Sequence, residues 1–277
     1  MKPAPFAYER PTKLADACAL GRSEEGVVKY LAGGQSLGPM LNLRLAQPDM
    51  VVDITAIAEL KRVEEKPDSI VLGSCITHAD VEDGRVPDVA NGALRDVARG
   101  IAYRAVRNRG TVGGSLAHAD PAADWVSALS ALGASVIAAD EKRERRIAVE
   151  DFIVGALETA LNPGELVTGI EIPRYSRAAR WGYYKACRKT GEFAHAIGAF
   201  LFDPEQAICR AVVGATGSRP IVLTDSRSLF GGGSAKAEAL NQAFVRDTMA
   251  ARGTTDGIDQ NIHLAVLRRA IERAHVS

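Results

Sequence analysis

The stretch from Asn108 to Asp124 reads NRGTVGGSLAHADPAAD and constrains the fold more than any other part of the chain. It joins Arg109, a Gly113-Gly114 pair, hydroxyls at Thr111 and Ser115, and an Asp120-Pro121 step that predicts a helix start. Paired glycines let a backbone lie flush against a flat or charged surface, because no Cβ blocks the approach and positive φ is cheap. Amides exposed by such a turn, beside a helix N-terminus, make a concave anion site. A partial echo, Gly33-Gly34-Gln35-Ser36-Leu37, lies upstream in LAGGQSLGPML. Two glycine-hydroxyl segments in one chain point to one large phosphate-bearing ligand held from two sides.

The bulk composition narrows the partners. The chain carries 34 basic and 34 acidic residues. Bulk charge therefore gives no drive toward nucleic acid or a membrane surface, and a bound anion must be neutralised locally. With 277 residues, 47% of them apolar, it can bury a sizeable core across two or three domains or subdomains. The start, MKPAPFAYERP, lacks the apolar centre of a signal peptide, and no apolar run reaches membrane-spanning length, so a cytoplasmic location is expected. Cys18, Cys75, Cys187 and Cys209 form no CxxC and sit among apolar neighbours. They read as ordinary thiols, with neither a zinc ribbon nor an iron–sulfur loop. The five histidines make no ligand pattern, and no metal site is readable.

In chain order, Thr12 is placed to cap a short helix ending near Leu20, with Gly21 as its stop. Gly26 to Ala32 reads as a strand feeding the first glycine turn, followed by a helix from Pro39 to about Ala46. The turn is not GxGxxG and no acid follows at the required interval, which disfavours a Rossmann nicotinamide site. By itself Gly33-Gly34 is equally well a plain β–α turn. Met50–Ile54 and Ile70–Ile76 read as buried strands, and Asn91 to about Ile101 as a helix. That helix leads to Arg104, Arg107 and Arg109, which suit either phosphate binding or ordinary surface ion pairs. Asp120 as N-cap and Pro121 at the first helical position place Asp124 in a first turn, with Trp125, Val126, Leu129 and Leu132 as the buried stripe. The carboxylate of Asp124 then serves the helix dipole or accepts from a ligand. Strands are expected at Ser135–Ala139, Arg146–Val149 and Leu166–Ile172.

The basic segment Pro173 to Arg180 marks an expected domain boundary. Beyond it lie three strand-like runs, Trp181–Arg188, Ala194–Phe202 and Ala207–Ala215, separated by turn signals. Helices are expected near Ala235–Ala251 and Ile262–Ala274, the latter with Ile262, Leu264, Leu267 and Ile271 on its apolar face. The tail is thus an α+β unit, a three-stranded antiparallel sheet covered by helices.

Three segments in this order, LAGGQSL, RNRGTVGGSLAHADPAAD and YYKACRKTGEFAHA, resemble the FAD-binding medium subunit of the molybdenum hydroxylases. That family includes the xanthine dehydrogenase and aerobic carbon monoxide dehydrogenase type. The resemblance spans essentially the whole chain. It implies an α+β protein with a two-part FAD-binding domain of the vanillyl-alcohol-oxidase/PCMH type at residues 1–175, its parts at about 1–55 and 56–175. A C-terminal domain of the medium-subunit type would occupy residues 176–277.

By the same resemblance, FAD contacts fall on Leu31, Ala32, Gly33, Gly34, Gln35, Ser36 and Leu37, and on Thr111, Val112, Gly113, Gly114 and Ser115. Asp124 matches an acid that contacts the cofactor, Ile101 and Val167 match apolar contacts, and Lys185 matches a lysine beside the flavin ring that would tune it by charge. Glu192 stands where the family generally has aspartate, and His195 where a small or apolar residue is usual. The implied function is electron transfer from a small subunit with [2Fe–2S] clusters, through FAD, to an external acceptor. A large subunit would carry the molybdopterin cofactor, in an assembly of three different subunits, expected to be doubled. Two alternatives stay open at this level: a stand-alone flavin dehydrogenase or oxidase using His195 or Glu192 as base, and a non-enzymatic nucleotide-binding scaffold.

Overall fold

The computed structural model describes residues 2–22, 26–232 and 234–275. A parallel three-stranded sheet at the N-terminal end sets Met50–Asp53 between Ala7–Glu9 and Val28–Leu31. The helix Leu14–Gly21 belongs to it. Its N-cap is Lys13 and no side chain caps it, so Thr12 does not play the expected part. Ala17 and Cys18 from this helix pack with Val52, Ile54, Ile57 and Leu60 in a small core of their own.

The second sheet is antiparallel and five-stranded, ordered Val63–Glu65, Ser69–Gly73, Leu166–Pro173, Ser135–Ala139, Glu144–Ala148. Its central strand alternates in register with both neighbours and carries a bulge between Val167 and Gly169. That bulge lies at the end of the strand nearest the glycine segments. Across this sheet runs the helix Asp124–Ala131, buried on every side from Trp125 to Ala131. A helix apolar all round has to lie between two layers. Here the other layer is the third sheet, and Leu129, Ile170, Ile197 and Val212 belong to one continuous core.

The third sheet is antiparallel, with Arg180–Ala186, Ala196–Asp203, Ile208–Gly214 and Ile221–Leu223 in sequence order. The sequence reading gave three strands. The fourth is only three residues long and follows Pro220, too short to show a period. The C-terminal helix Gly257–Arg273 covers this sheet and starts earlier than expected, because the Asp256 carboxylate accepts from the amides of Ile258 and Asp259 at 2.8 and 3.0 Å. Its buried face is Leu264, Val266, Leu267, Ala270 and Ile271, whereas Ile262 is 37% exposed and lies off that face. The helix Gln242–Ala251 precedes it.

Three further boundaries differ from expectation. The helix after the first glycine turn is Leu37–Asn42, not Pro39–Ala46, and the one before the arginines is Ala93–Gly100. Asp120 does not cap the helix Asp124–Ala131, whose N-cap is Ala123. Its carboxylate instead accepts from the Ala122 amide at 2.9 Å, closing a turn that holds Pro121 outside the helix.

The C-terminal helix approaches its sheet at two glycines. A Cβ on Gly182 would strike the Ala270 carbonyl, and one on Gly198 would lie 2.7 Å from the Leu267 backbone. Gly182→Ala is therefore expected to destabilise the fold by about 1–3 kcal/mol through overpacking. Gly257→Ala in the same helix meets nothing within 4 Å and should be neutral or slightly stabilising. Urea unfolding of the two variants checks both signs.

Candidate functional site

The three layers leave a cleft of about 500 Å³. This is the size range of small-molecule and cofactor sites, about 300–1,000 Å³. One wall is the first glycine segment: the strand Val28–Leu31 runs into Ala32–Ser36 and then the helix Leu37–Asn42. Gly34 has φ +72°. Gly33 is fixed by contact, since a Cβ there would lie 2.7 Å from the Gly110 Cα and strike the Arg109 carbonyl. The two glycine segments thus touch backbone to backbone. The amides of Gly33, Gly34, Gln35 and Ser36 donate to no group among the described residues.

The opposite wall differs from the sequence reading. Thr111 is an N-cap, and Val112–His118 is a helix that includes both glycines. Its first amides are all engaged: Val112 donates to Ile76 O at 3.0 Å, Gly113 to Ser74 O at 3.1 Å, Gly114 to Thr111 Oγ1 at 3.0 Å and Ser115 to Thr111 O at 3.0 Å. This wall therefore offers no amide cradle. Its glycines serve close packing instead, because a Cβ on Gly113 would sit 2.7 Å from the Ser74 backbone. Gly114 faces the other wall, with Ala32 Cβ 3.5 Å from where its own Cβ would be.

Of the residues picked out from sequence, Leu31 to Leu37, Ile101, Thr111, Gly113, Gly114, Ser115, Asp124 and Val167 line this one cleft. Val112 does not: it is fully buried in the core. Lys185 does not line it either. Its ammonium donates to the Gly100 carbonyl at 2.7 Å and pairs with Asp124 Oδ1 at 2.9 Å. Lys185 is thus the counter-ion of a cleft carboxylate before it can be the partner of any ligand. His195 is exposed and away from the cleft, while Glu192 is on the cleft rim and meets Arg188 at 3.4 Å. Arg104 is taken up by Glu82 and Asp83, and Arg107 by Glu82. Arg107 also donates to the carbonyls of Ile101 and Ala102 at 2.8 and 3.2 Å, fixing the turn that carries Ile101 into the cleft. The ion-pair reading of these two arginines is the correct one.

Sequence reasoning missed the segment Ser74–His78, the second layer of the Thr111 wall, and the rim aromatics Tyr103 and Phe193. A signal for the first was present. Thr77 and Asp80 form a capping box, with Thr77 Oγ1 accepting from the Asp80 amide at 3.1 Å, directly after a strand. It places His78 at the first position of a helix, at a strand end.

Asp124 is the most deeply buried of the carboxylates that line the cleft. Its Oδ1 accepts the Tyr183 hydroxyl at 2.7 Å, and its side chain is 11% exposed. Burial pushes its carboxyl above the ordinary value, against the Lys185 ammonium and Tyr183 hydroxyl, which pull it down. Burial, together with Asp124, pushes the Tyr183 hydroxyl well up, so it stays a donor. The ionisation of Asp124 costs stability. That cost is absent below the unfolded value of about 4 and grows as pH rises through the folded one. Lys185→Met removes the compensating charge and raises the folded value further. We expect a loss of about 3 kcal/mol at neutral pH. The difference from the parent should shrink as pH falls, measured by urea unfolding at about pH 8 and about pH 5.

Comparisons with known proteins place the chain in a family. Residues 4–175 match the model of the FAD binding domain in molybdopterin dehydrogenase. The chain is 37% identical over 206 residues to the caffeine dehydrogenase subunit beta of Pseudomonas sp. strain CBB1, covering 74% of this chain and 70% of that one. It is 32% identical over 287 residues to the carbon monoxide dehydrogenase medium chain of Afipia carboxidovorans, covering 99% and 98%. Among solved structures, a Cu,Mo-CO dehydrogenase in its cyanide-inactivated form superposes with a TM-score of 0.89 at 30% identity, covering 100% of this chain and 99% of that one. The resemblance read from the three sequence segments is borne out: this chain belongs to the family of FAD-binding domains in molybdopterin dehydrogenases.

Proposed function

We propose that this chain is the FAD-carrying electron-transfer subunit of a molybdenum-containing hydroxylase or dehydrogenase. It would take electrons from a [2Fe–2S] subunit and deliver them to an external acceptor. The observation that carries the reading is the row of free amides from Gly33 to Ser36, facing a glycine-flattened wall across a cleft of about 500 Å³. Free amides beside a helix start are donors suited to a diphosphate. The apolar floor of Ile101, Leu161 and Val167 suits flat aromatic rings. The residues therefore fit FAD, which when bound supplies the redox chemistry.

Each part of the chain has a task in this reading. Gly33 to Ser36 would hold the diphosphate by main-chain donation. Ile101 and Val167 would exclude water from the rings. Asp124, held in place by Tyr183 and Lys185, would present one acceptor at a fixed position. Lys185 would act on the electrostatics of the site only as half of a pair whose net charge is near zero. Among the described residues of the cleft none is hydrogen-bonded as a nucleophile to a base; of the two bases considered for a stand-alone enzyme, His195 lies outside the cleft and Glu192 sits on its rim beside Arg188. That supports a division of labour in which substrate is handled on another chain.

The same reading extends to the assembly. A small iron–sulfur subunit and a large molybdopterin subunit would join this chain in a heterotrimer that forms a dimer, in the cytoplasm. No helix among the described residues is long and apolar enough to cross a membrane. The division into a FAD-binding part at residues 1–175 and a C-terminal part at 176–277 belongs to this proposal as well.

The purified chain, reconstituted with FAD and passed through gel filtration, is expected to retain flavin absorption in stoichiometric amount. Gly114→Val should lose it while still unfolding cooperatively, because its branched Cβ would fill the gap toward Ala32. A parent chain that retains no flavin, or a variant that retains it with unchanged affinity, contradicts the reading.

A further inference from the structure

The Thr111 wall has spent its amides, yet it faces the row of free amides across the cleft. An anion held between the two walls would find main-chain donors on one side only. The second side must be met by side chains. Two polar side chains of the segment Ser74–His78 are buried, line the cleft and have donor capacity to spare. The segment is zipped to the Thr111 wall by three backbone bonds, His78 N to Gly110 O at 2.9 Å, Val112 N to Ile76 O and Gly113 N to Ser74 O, around a Thr77–Thr111 bridge. Ser74 and His78 therefore stand at the level of Gly110–Gly113, where Gly33 makes its close contact.

His78 is 5% exposed, and its ring orientation is set from behind. Trp125 Nε1 donates to His78 Nδ1 at 3.0 Å. The indole nitrogen is a donor only, so Nδ1 must be unprotonated and the ring proton sits on Nε2. Nε2 has no partner among the described residues. Burial, with Arg107 nearby, pushes the imidazole down to about 4, so the ring is neutral under ordinary conditions and its tautomer is fixed. Ser74 is 2% exposed, and its hydroxyl, beside the Cys75 thiol, meets no nitrogen or oxygen partner among the described residues. A purely architectural role accounts for Nδ1 of His78, but for neither Nε2 nor Ser74 Oγ. A buried donor left without a partner, as Ser74 Oγ is, costs stability, and a ligand acceptor removes the cost.

We infer that His78 Nε2–H and Ser74 Oγ–H donate to the diphosphate of the bound dinucleotide, a third anchoring element beside the two glycine segments. The inference rests on the FAD reading above and adds to it side chains from a separate strand end. Two neutral donors suit this place, because Arg104 and Arg107 are already committed to Glu82 and Asp83.

The test uses the full chain freed of flavin, titrated with FAD by quenching of flavin fluorescence, with ADP as a competitor that shares the diphosphate but lacks the flavin. His78→Phe keeps a planar aromatic ring, somewhat larger than imidazole, and removes the Nε2 donor together with the Nδ1 acceptor of Trp125. It is expected to weaken both FAD and ADP by the same factor, about tenfold to a hundredfold, as for a hydrogen bond to a charged group. His78→Gln restores an N–H and should recover part of the loss. Ser74→Ala should weaken both ligands about tenfold. If His78→Phe no longer unfolds cooperatively, Ser74→Ala decides alone. Affinities within twofold of the parent overturn the inference, and so does a loss for FAD with none for ADP, which would put the donors at the flavin end. A parent chain that binds no FAD at all would instead overturn the cofactor reading on which the inference stands.

Discussion

The site depends on one close approach of backbone to backbone, where Gly33 meets Arg109 and Gly110 with no room for a Cβ. It joins the parallel sheet at the N-terminal end to the larger antiparallel sheet at the mouth of the cleft. The amides that follow it donate to no group among the described residues. Everything else in the site is arranged around keeping those amides free. The Thr111 helix is zipped to Ser74–His78, so its own first amides are spent there and are not offered to the cleft. Arg107 pins the Ile101–Ala102 turn that forms the floor. Gly191, with φ +90° and its Cα side 2.7 Å from the Ala102 carbonyl were a Cβ present, lets the rim loop lie on that turn.

The second constraint is electrostatic and couples the third sheet to the cleft. Asp124 starts a helix buried on all sides, and its carboxylate is met by the side chains of Tyr183 and Lys185 from the third sheet's first strand. A buried carboxylate without a counter-ion is costly, and removing one partner of such a pair is far worse than never having had it. The layer that covers the cleft is thereby tied to the layer that forms it. Lys185, which the resemblance sets beside the flavin ring, is held by Asp124, a pairing that spacing along a strand cannot reveal.

What was legible in the sequence was local. Gly113-Gly114, with hydroxyls on both sides, and Gly33-Gly34, with Ser36 after it, pointed to the two walls, and the strand at Leu166–Pro173 and the helix stripe at Trp125–Leu132 followed from periodicity. What was not legible was the direction in which the amides face. For Val112–Ser115 it is decided by Ile76 and Ser74, far away in sequence, and by Thr111 turning its hydroxyl onto Gly114. The helix start at Asp120-Pro121 failed for a related reason. Ala119 sits at φ 53° as the cap of the preceding helix, so the chain must turn before it can wind again. The short strand Ile221–Leu223 exists because Ile208–Gly214 offers it an edge, not because three apolar residues prefer to be extended.

The most direct test of the account is amide hydrogen exchange of the chain with and without FAD. The amides of Gly33 to Ser36 should be unprotected in the free chain and become protected on adding FAD. Those of Val112 to Ser115, already bonded internally, should be protected in both. Unchanged exchange at Gly33–Ser36, or new protection appearing instead at Val112–Ser115, would contradict the assignment of the two walls.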